Sequence, residues 1–217
     1  PGFLSKFFSP RGLVYVENWG QPGLKVPVLG FEDGQDLSIT LPVERGLIVG
    51  DTGNNTIRLI DLTPAIPIVG TLSGHAGEPG TAPAVGADAI PVADARYNTP
   101  LGMAMDPGDS SILITDAKNN VIRRLTQSLE VTTAFDGFFE PAGMTFDDNG
   151  RLFIADTRNH LIKVFENGEL KVLAGKQGIA GSKDSLFSSE STFNNPSGLQ
   201  WMGDNLRLVV SDTGNHA

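Results

Sequence analysis

One five-residue pattern, D-[TA]-x-N-[NH], recurs four times along the chain, and it constrains the fold more than any other feature. It stands at Asp51 to Asn55, Asp116 to Asn120, Asp156 to His160 and Asp212 to His216. A short β-branched or aliphatic run precedes each copy: Leu47 to Val49, Ile112 to Ile114, Leu152 to Ile154 and Leu208 to Val210. Another run follows the first three, at Thr56 to Arg58, Val121 to Arg123 and Leu161 to Lys163. Self-similarity of this kind is the signature of a repeat architecture, and its local reading is strand, turn, strand. An Asp side chain accepts hydrogen bonds from the backbone two residues on, and Asn or Gly tolerates the left-handed conformation that closes a tight turn. Asp51, Asn54, Asp116, Asn119, Asp156, Asn159, Asp212 and Asn215 are therefore expected to be structural turn residues, and no catalytic residue is assigned.

A second element lies upstream of three of these turns: Tyr97-Asn-Thr-Pro-Leu-Gly102, Phe138-Phe-Glu-Pro-Ala-Gly143 and Phe193-Asn-Asn-Pro-Ser-Gly198. Here Pro ends an incoming loop, Gly permits close backbone approach, and a strand follows. The aromatic residues are expected to pack between repeats rather than bind ligand. Asp106-Pro-Gly-Asp109 and Asp147-Asp-Asn-Gly150 mark turns between first and second strands, and Thr126 to Leu129 and Glu166-Asn-Gly168 mark turns between third and fourth. Each repeat is thus four antiparallel strands. A lone four-stranded sheet with two apolar faces hides neither, so the sheets must stack radially as blades. With 40% hydrophobic residues, 26 Gly and 14 Pro in 217 residues, the chain suits one all-β domain and disfavours long helices.

Successive turn aspartates lie 65, 40 and 56 positions apart, and about 40 residues make a compact four-stranded blade. The surplus falls in two inter-blade insertions, residues 73–99 and 175–195, rich in Gly, Ala, Ser, Pro and Asp. Blades are expected at residues 35–72, 100–136 and 137–174, with the first half of a truncated blade at 196–217. In this reading Pro42 aligns with Pro107, the blade beginning near Gln35 lacks the Pro-x-Gly element, and residues 1–34 hold two strands of a preceding partial blade, at residues 12–17 and 24–30. Strand alternation places both insertions on the face that carries the Asp-x-x-Asn turns. Long loops on a rigid frame are common recognition surfaces, so Lys118, Asn119, Arg158, Asn159, His75, Glu78, Lys176 and Asp184 are the candidate binding-face residues.

A formal charge of −9 and a pI near 4.7 disfavour partners held by phosphate neutralisation, nucleic acid and anionic lipid alike. Lys118, Arg123 and Arg124, the densest basic group, read as a solvated strand end. The chain has no cysteine, which excludes a disulfide framework and thiol chemistry within these residues and leaves the compartment open. No apolar run approaches the roughly 20 residues of a membrane span, and membrane insertion is not expected. Of the three histidines, His75, His160 and His216, two share the last turn position. His160 and His216 are thus the weak candidates for a divalent metal such as zinc. Ser182-Lys-Asp184 and the acids Glu78, Asp88 and Asp94 read as solvated loop charge; as oxygen donors they are the alternative candidates for calcium, without the spacing of an EF-hand. Gly74-His-Ala-Gly77 and Gly175-Lys-Gln-Gly178 lack the strand-to-helix context of a phosphate loop. No cofactor is predicted.

The repeats resemble NHL repeats, including the tripeptide itself at Asn159-His160-Leu161, and the likeness covers roughly residues 35–217. It implies a β-propeller, commonly six-bladed, of which this chain is an incomplete segment; a closed four-bladed ring is the alternative. The long Gly-Asp loops are similar to those of NHL propellers that accompany thioredoxin-like domains, with any redox cysteines in linked domains outside these residues. The expected function is a non-catalytic scaffold that binds a protein or peptide. The alternatives are a metal-dependent lyase or hydrolase with its site at the channel, and a structural subunit completed by another chain.

Overall fold

A computed structural model describes residues 7–27, 38–203 and 207–217. Its strands form three complete antiparallel blades and the inner half of a fourth. The first blade is ordered β1 (Leu13–Trp19), β4 (Val43–Asp51), β5 (Thr56–Asp61), β6 (Ile68–Gly74). The second is β8 (Pro100–Met105), β9 (Ile112–Asp116), β10 (Val121–Leu125), β11 (Glu130–Phe135), with a fifth short strand, β7 (Ile90–Pro91), on its outer edge. The third is β12 (Met144–Phe146), β13 (Leu152–Asp156), β14 (Leu161–Glu166), β15 (Glu169–Gly175), and the fourth is the pair β16 (Pro196–Met202) and β17 (Arg207–Asp212). A small hairpin, β2 (Lys25–Pro27) with β3 (Ser38–Thr40), interrupts the first blade.

The second strands explain why the blades stack. All five residues of β9 and of β13 are buried, as expected for strands covered on both faces. In β9, Ile112 and Ile114 join the core shared with the first blade, while Leu113 faces the third. The period of two thus sends alternate side chains into two different interfaces. Inner strands meet through glycine. A Cβ on Gly12 would lie 2.2 Å from the Leu101 carbonyl oxygen, one on Gly102 2.1 Å from that of Ala142, and one on Gly143 2.4 Å from that of Ser197. Each blade's glycine accepts the backbone of the next blade, and no side chain fits there.

Two sequence expectations are corrected here. Residues 12–17 do not belong to a preceding blade: Leu13 to Trp19 pair in antiparallel register with Val49 to Val43, forming the innermost strand of the first complete blade. That blade does have its Pro-x-Gly element, at Pro10-Arg11-Gly12, preceded by Phe7 and Phe8. The physical reason is an insertion between its first and second strands. The insertion carries the β2–β3 hairpin, whose Val26 and Ile39 join the core between the first and second blades together with nearby Leu41. The expected blade start near Gln35 and the segment 28–30 of the expected second strand lie outside the described residues.

Substituting Gly102 with Ala drives a methyl into the Ala142 carbonyl with no flexible side chain to give way. The expected loss is about 2–3 kcal/mol, at the upper end of overpacking costs, measured as a fall in the urea midpoint without a change in slope.

Candidate functional site

The repeated turn is a brace of four parts rather than a free cluster of acids. Asp51, Asp116 and Asp156 are 0% exposed. Their Oδ1 atoms accept the backbone N–H of Phe8 at 2.7 Å, Asn98 at 2.6 Å and Phe139 at 2.7 Å, and Asp212 accepts that of Asn194 at 2.7 Å. Each of these amides lies in the loop that feeds the innermost strand of the same blade. The Oδ2 atoms accept the side-chain amide three residues on: Asn54, Asn119, Asn159 and Asn215, at 2.6 to 2.9 Å. The expectation that the aspartate would bond the backbone two residues on is therefore corrected. The carboxylate reaches across the blade instead, and a single 3-10 turn follows it without a side-chain cap.

A cation seven residues after the aspartate completes the brace. Arg123 Nε donates to Asp116 Oδ2 at 2.9 Å, Lys163 Nζ lies 2.8 Å from Asp156 Oδ2, and Arg58 lies 3.5 Å from Asp51 Oδ2. The same cations cover the aromatic residue of the incoming loop: Arg58 lies over Phe7 and Lys163 over Phe138, an attraction that strengthens away from water. Arg123 is 1% exposed, so its reading as part of a solvated strand end is wrong. A fully buried carboxylate needs a cation and hydrogen bonds to remain charged. Burial pushes the Asp116 carboxyl up, against the Asn98 amide, Asn119 and the Arg123 guanidinium.

The last turn position joins neighbouring blades. Asn55, Asn120, His160 and His216 all adopt the left-handed conformation, with φ between 57° and 60°. Asn55 Oδ1 accepts the Thr99 N–H at 2.8 Å, Asn120 Oδ1 that of Glu140 at 2.9 Å, and His160 Nδ1 that of Asn195 at 3.1 Å. This explains why the position takes Asn or His: both place an acceptor two bonds from Cβ, and Asn and His are enriched among residues that tolerate positive φ. His160 Nδ1 is thereby engaged, which leaves its proton on Nε2. Among the described residues no group of three or more His, Asp or Glu side chains is arranged to hold a metal.

The loop-face residues do not form one cluster. Lys118 and Arg158 occupy equivalent turn positions in successive blades and share Glu140, at 2.6 and 3.3 Å. The Lys118 ammonium, with Arg158 beside it, holds the Glu140 carboxyl below its ordinary value. Asn119 and Asn159 are consumed by the brace. His75 Nε2 lies 2.6 Å from the Ala93 carbonyl oxygen, and Glu78 lies 3.6 Å from His75 and 3.8 Å from Arg96. Lys176 and Asp184 belong to the second insertion, between the third and fourth blades.

That insertion and the first are built alike. Gly77 N–H bonds the Asn54 carbonyl and Gly178 that of Asn159; Gly80 N–H bonds Tyr97 and Gly181 bonds Phe193. The turn asparagine of the following blade then caps each loop, Asn119 on Gly80 and Asn215 on Gly181. The sequence signal was Gly-x-x-Gly-x-x-Gly at residues 74–80 and 175–181. The first insertion is also buried at Ala95 and Tyr97, and Arg123 and Thr133 both donate to the Pro83 carbonyl. It is a docked element of the frame.

Radial antiparallel blades around inner-strand glycines, braced by a turn aspartate that is buried in each of the three complete blades, define a β-propeller. The NHL repeat model matches residues 138–165, the stretch in which Asp156, Asn159, His160 and Lys163 are all present. NHL repeat-containing protein 2 of Homo sapiens is 42% identical over 78 residues, 35% of this chain and 10% of that protein. Its Gallus gallus counterpart is 28% identical over 145 residues, 59% of this chain and 20% of that protein. The chain thus spans a tenth to a fifth of the curated relatives it matches. A Bacteroides thetaiotaomicron structural genomics protein of unknown function superposes with a TM-score of 0.60 at 15% identity, covering 98% of this chain and 69% of that one, a likeness of fold alone. The chain thus has the β-propeller fold, matches an NHL repeat at residues 138–165 and is similar over part of its length to NHL repeat-containing proteins.

Two outcomes test the brace. Arg123→Met strands a buried carboxylate and is expected to cost about 3–5 kcal/mol at neutral pH. A carboxyl whose folded value is raised favours the native state at low pH and loses that contribution as pH rises through the raised value. The deficit in urea titrations should therefore shrink on acidification. His160→Asn should preserve stability, whereas His160→Leu leaves the Asn195 N–H without its acceptor and places a branched side chain at positive φ, costing about 1–3 kcal/mol.

Proposed function

We propose that this propeller segment is a non-catalytic scaffold whose loop-bearing face holds an extended peptide of a partner protein. The observation that supports this most is a groove of about 480 Å³ between the first and second blades, lined by Ser9, Arg11, Thr52, Asn55, Asn98 and Thr99. Hydroxyls and side-chain amides carried on braced turns suit the alternating donors and acceptors of a peptide backbone, and they are already ordered before binding. Arg11 supplies the groove's one charged side chain, which favours a peptide bearing a carboxylate there. The acids of the repeat are spoken for: each turn aspartate has both oxygens occupied within its own blade. That leaves the scaffold reading ahead of an acid–base enzyme at the channel.

A panel of peptides with and without acidic residues, measured by calorimetry against the full-length protein, tests the reading. Acidic peptides are expected to bind, and Arg11→Glu should weaken binding at least about tenfold, the loss of a charge-assisted hydrogen bond of about 1.5–3 kcal/mol, with an unchanged melting temperature. A stoichiometric, tightly held divalent ion together with no peptide binding would overturn it.

A further inference from the structure

The brace and the bond to the next blade use the Asp, the Asn and the last residue of each turn, and the third turn position has no part in either. That position holds Gly53, Lys118, Arg158 and Gly214, so the fold accepts a residue with no side chain there. The loop residue two before each Pro is similarly unconstrained. Phe8, Asn98, Phe139 and Asn194 all give a backbone N–H to the turn aspartate, a bond that asks for no particular side chain. The residue after it is Ser9, Thr99, Glu140 or Asn195. Where the second and third blades meet, these free positions carry Lys118, Arg158, Phe139 and Glu140, two cations, an aromatic ring and a carboxylate that the frame does not demand.

Their geometry brings them together. Lys118 Nζ lies 2.6 Å from Glu140 Oε1 and Arg158 Nε 3.3 Å from Glu140 Oε2, so one carboxylate holds two cations side by side. The cluster keeps one positive charge in excess on a protein of formal charge −9. Both cationic side chains are about half exposed, and Phe139 is 48% exposed. Arg158 meets Glu140 through Nε, and among the described residues its two terminal nitrogens have no hydrogen-bond partner. The Lys118 N–H donates to the Asn98 carbonyl at 3.0 Å, and Asn98 lines the groove between the first and second blades. The cluster therefore continues that groove onto the next junction between blades.

We propose that Lys118, Arg158 and Phe139 form a second anchor for the partner peptide, in which the two cations take an acidic side chain and the exposed ring packs against an apolar one beside it. The proposal rests on the peptide-binding reading of the adjoining groove: the same extended chain crosses from Arg11 to this cluster. The partner class narrows to a peptide with two acidic residues, the second next to an apolar residue. Charge-assisted bonds to a guanidinium are among the strong ones, and aromatic and arginine side chains dominate the energetics of interfaces. Glu140 holds both cations in place before binding, which lowers the ordering cost. Exposed ion pairs add little to stability, so the cluster is better explained by recognition than by folding.

The repeat itself supplies variants that spare the fold. Lys118→Gly and Arg158→Gly copy the first and fourth turns, and Phe139→Asn copies the loops of the second and fourth blades. Calorimetry on the full-length protein uses flexible Gly/Ser peptides carrying one Glu, two Glu, or two Glu with a Leu beside the second, the separation of the two acids being varied. At one separation the second Glu is expected to tighten binding at least about tenfold over the single-Glu peptide, and the Leu about fivefold more. Lys118→Gly combined with Arg158→Gly should abolish the first gain and Phe139→Asn the second, with the melting temperature unchanged. A second Glu that adds nothing at any separation, or gains that survive these variants, overturns the proposal. The single-Glu peptide and Arg11→Glu report on the groove separately, so failure of the groove and failure of the second anchor are told apart. A single-stranded oligouridylate that binds more tightly than every peptide, and is lost in the double variant, would assign the cations to phosphate and also overturn it.

Discussion

A buried carboxylate holds each of the three complete blades of this protein in shape. An unpaired charge in a dry interior is costly enough that it must be surrounded before the blade is stable, and the chain surrounds it from three directions. Asp116 gathers an amide from the incoming loop, an asparagine from its own turn and an arginine from the third strand. Those partners come from the first strand's approach, the connection between second and third strands, and the third strand itself. One side chain therefore fixes the relative positions of three segments that local propensity alone would leave free to slide. The cation adds a second grip by lying over the aromatic residue of the same incoming loop in the first and third blades.

From that brace the inter-blade contacts follow. With the incoming loop fixed, the residue before each Pro, at Ser9, Thr99, Glu140 and Asn195, is held at positive φ. In the last three its amide is presented to the turn of the preceding blade. Three residues after it comes the glycine on which the neighbouring inner strand rests. Apolar side chains from both faces of each second strand then fill the two interfaces. The propeller is a chain of such steps, each needing the next blade to complete it.

The insertions change how the loop-bearing face should be regarded. Length and composition alone favour mobile recognition loops, yet the structure shows them laced to the turns on either side, with the first buried at Tyr97, whose phenol is pushed up by burial and bonds Ser73. Their glycines at equivalent positions mark backbone contacts with neighbouring turns rather than freedom to move. The rim between the first and second blades stays open on that face, where Arg11 and the polar turn residues meet.

Much of this was written in the sequence. The turn pattern and its flanking β-branched runs determined the strand–turn–strand unit, and Pro-x-Gly with the aromatic before it determined where inner strands begin. The recurrence of these elements required stacked blades, because no single sheet with two apolar faces can bury both. Other features became visible only in three dimensions. The first blade's true inner strand was hidden because an insertion separates Pro10-Arg11-Gly12 from Asp51, and linear spacing carries no information about which distant strands pair. Arg123 read as a surface charge because its partner is defined by burial, which depends on the fold around it. The reason that Asn and His alternate at one turn position lies in an amide of the next blade, beyond the reach of any local window. Sequence thus set the unit and its repetition, while tertiary structure decided the partners, since long-range hydrogen bonds and desolvation arise only once separate segments are brought together.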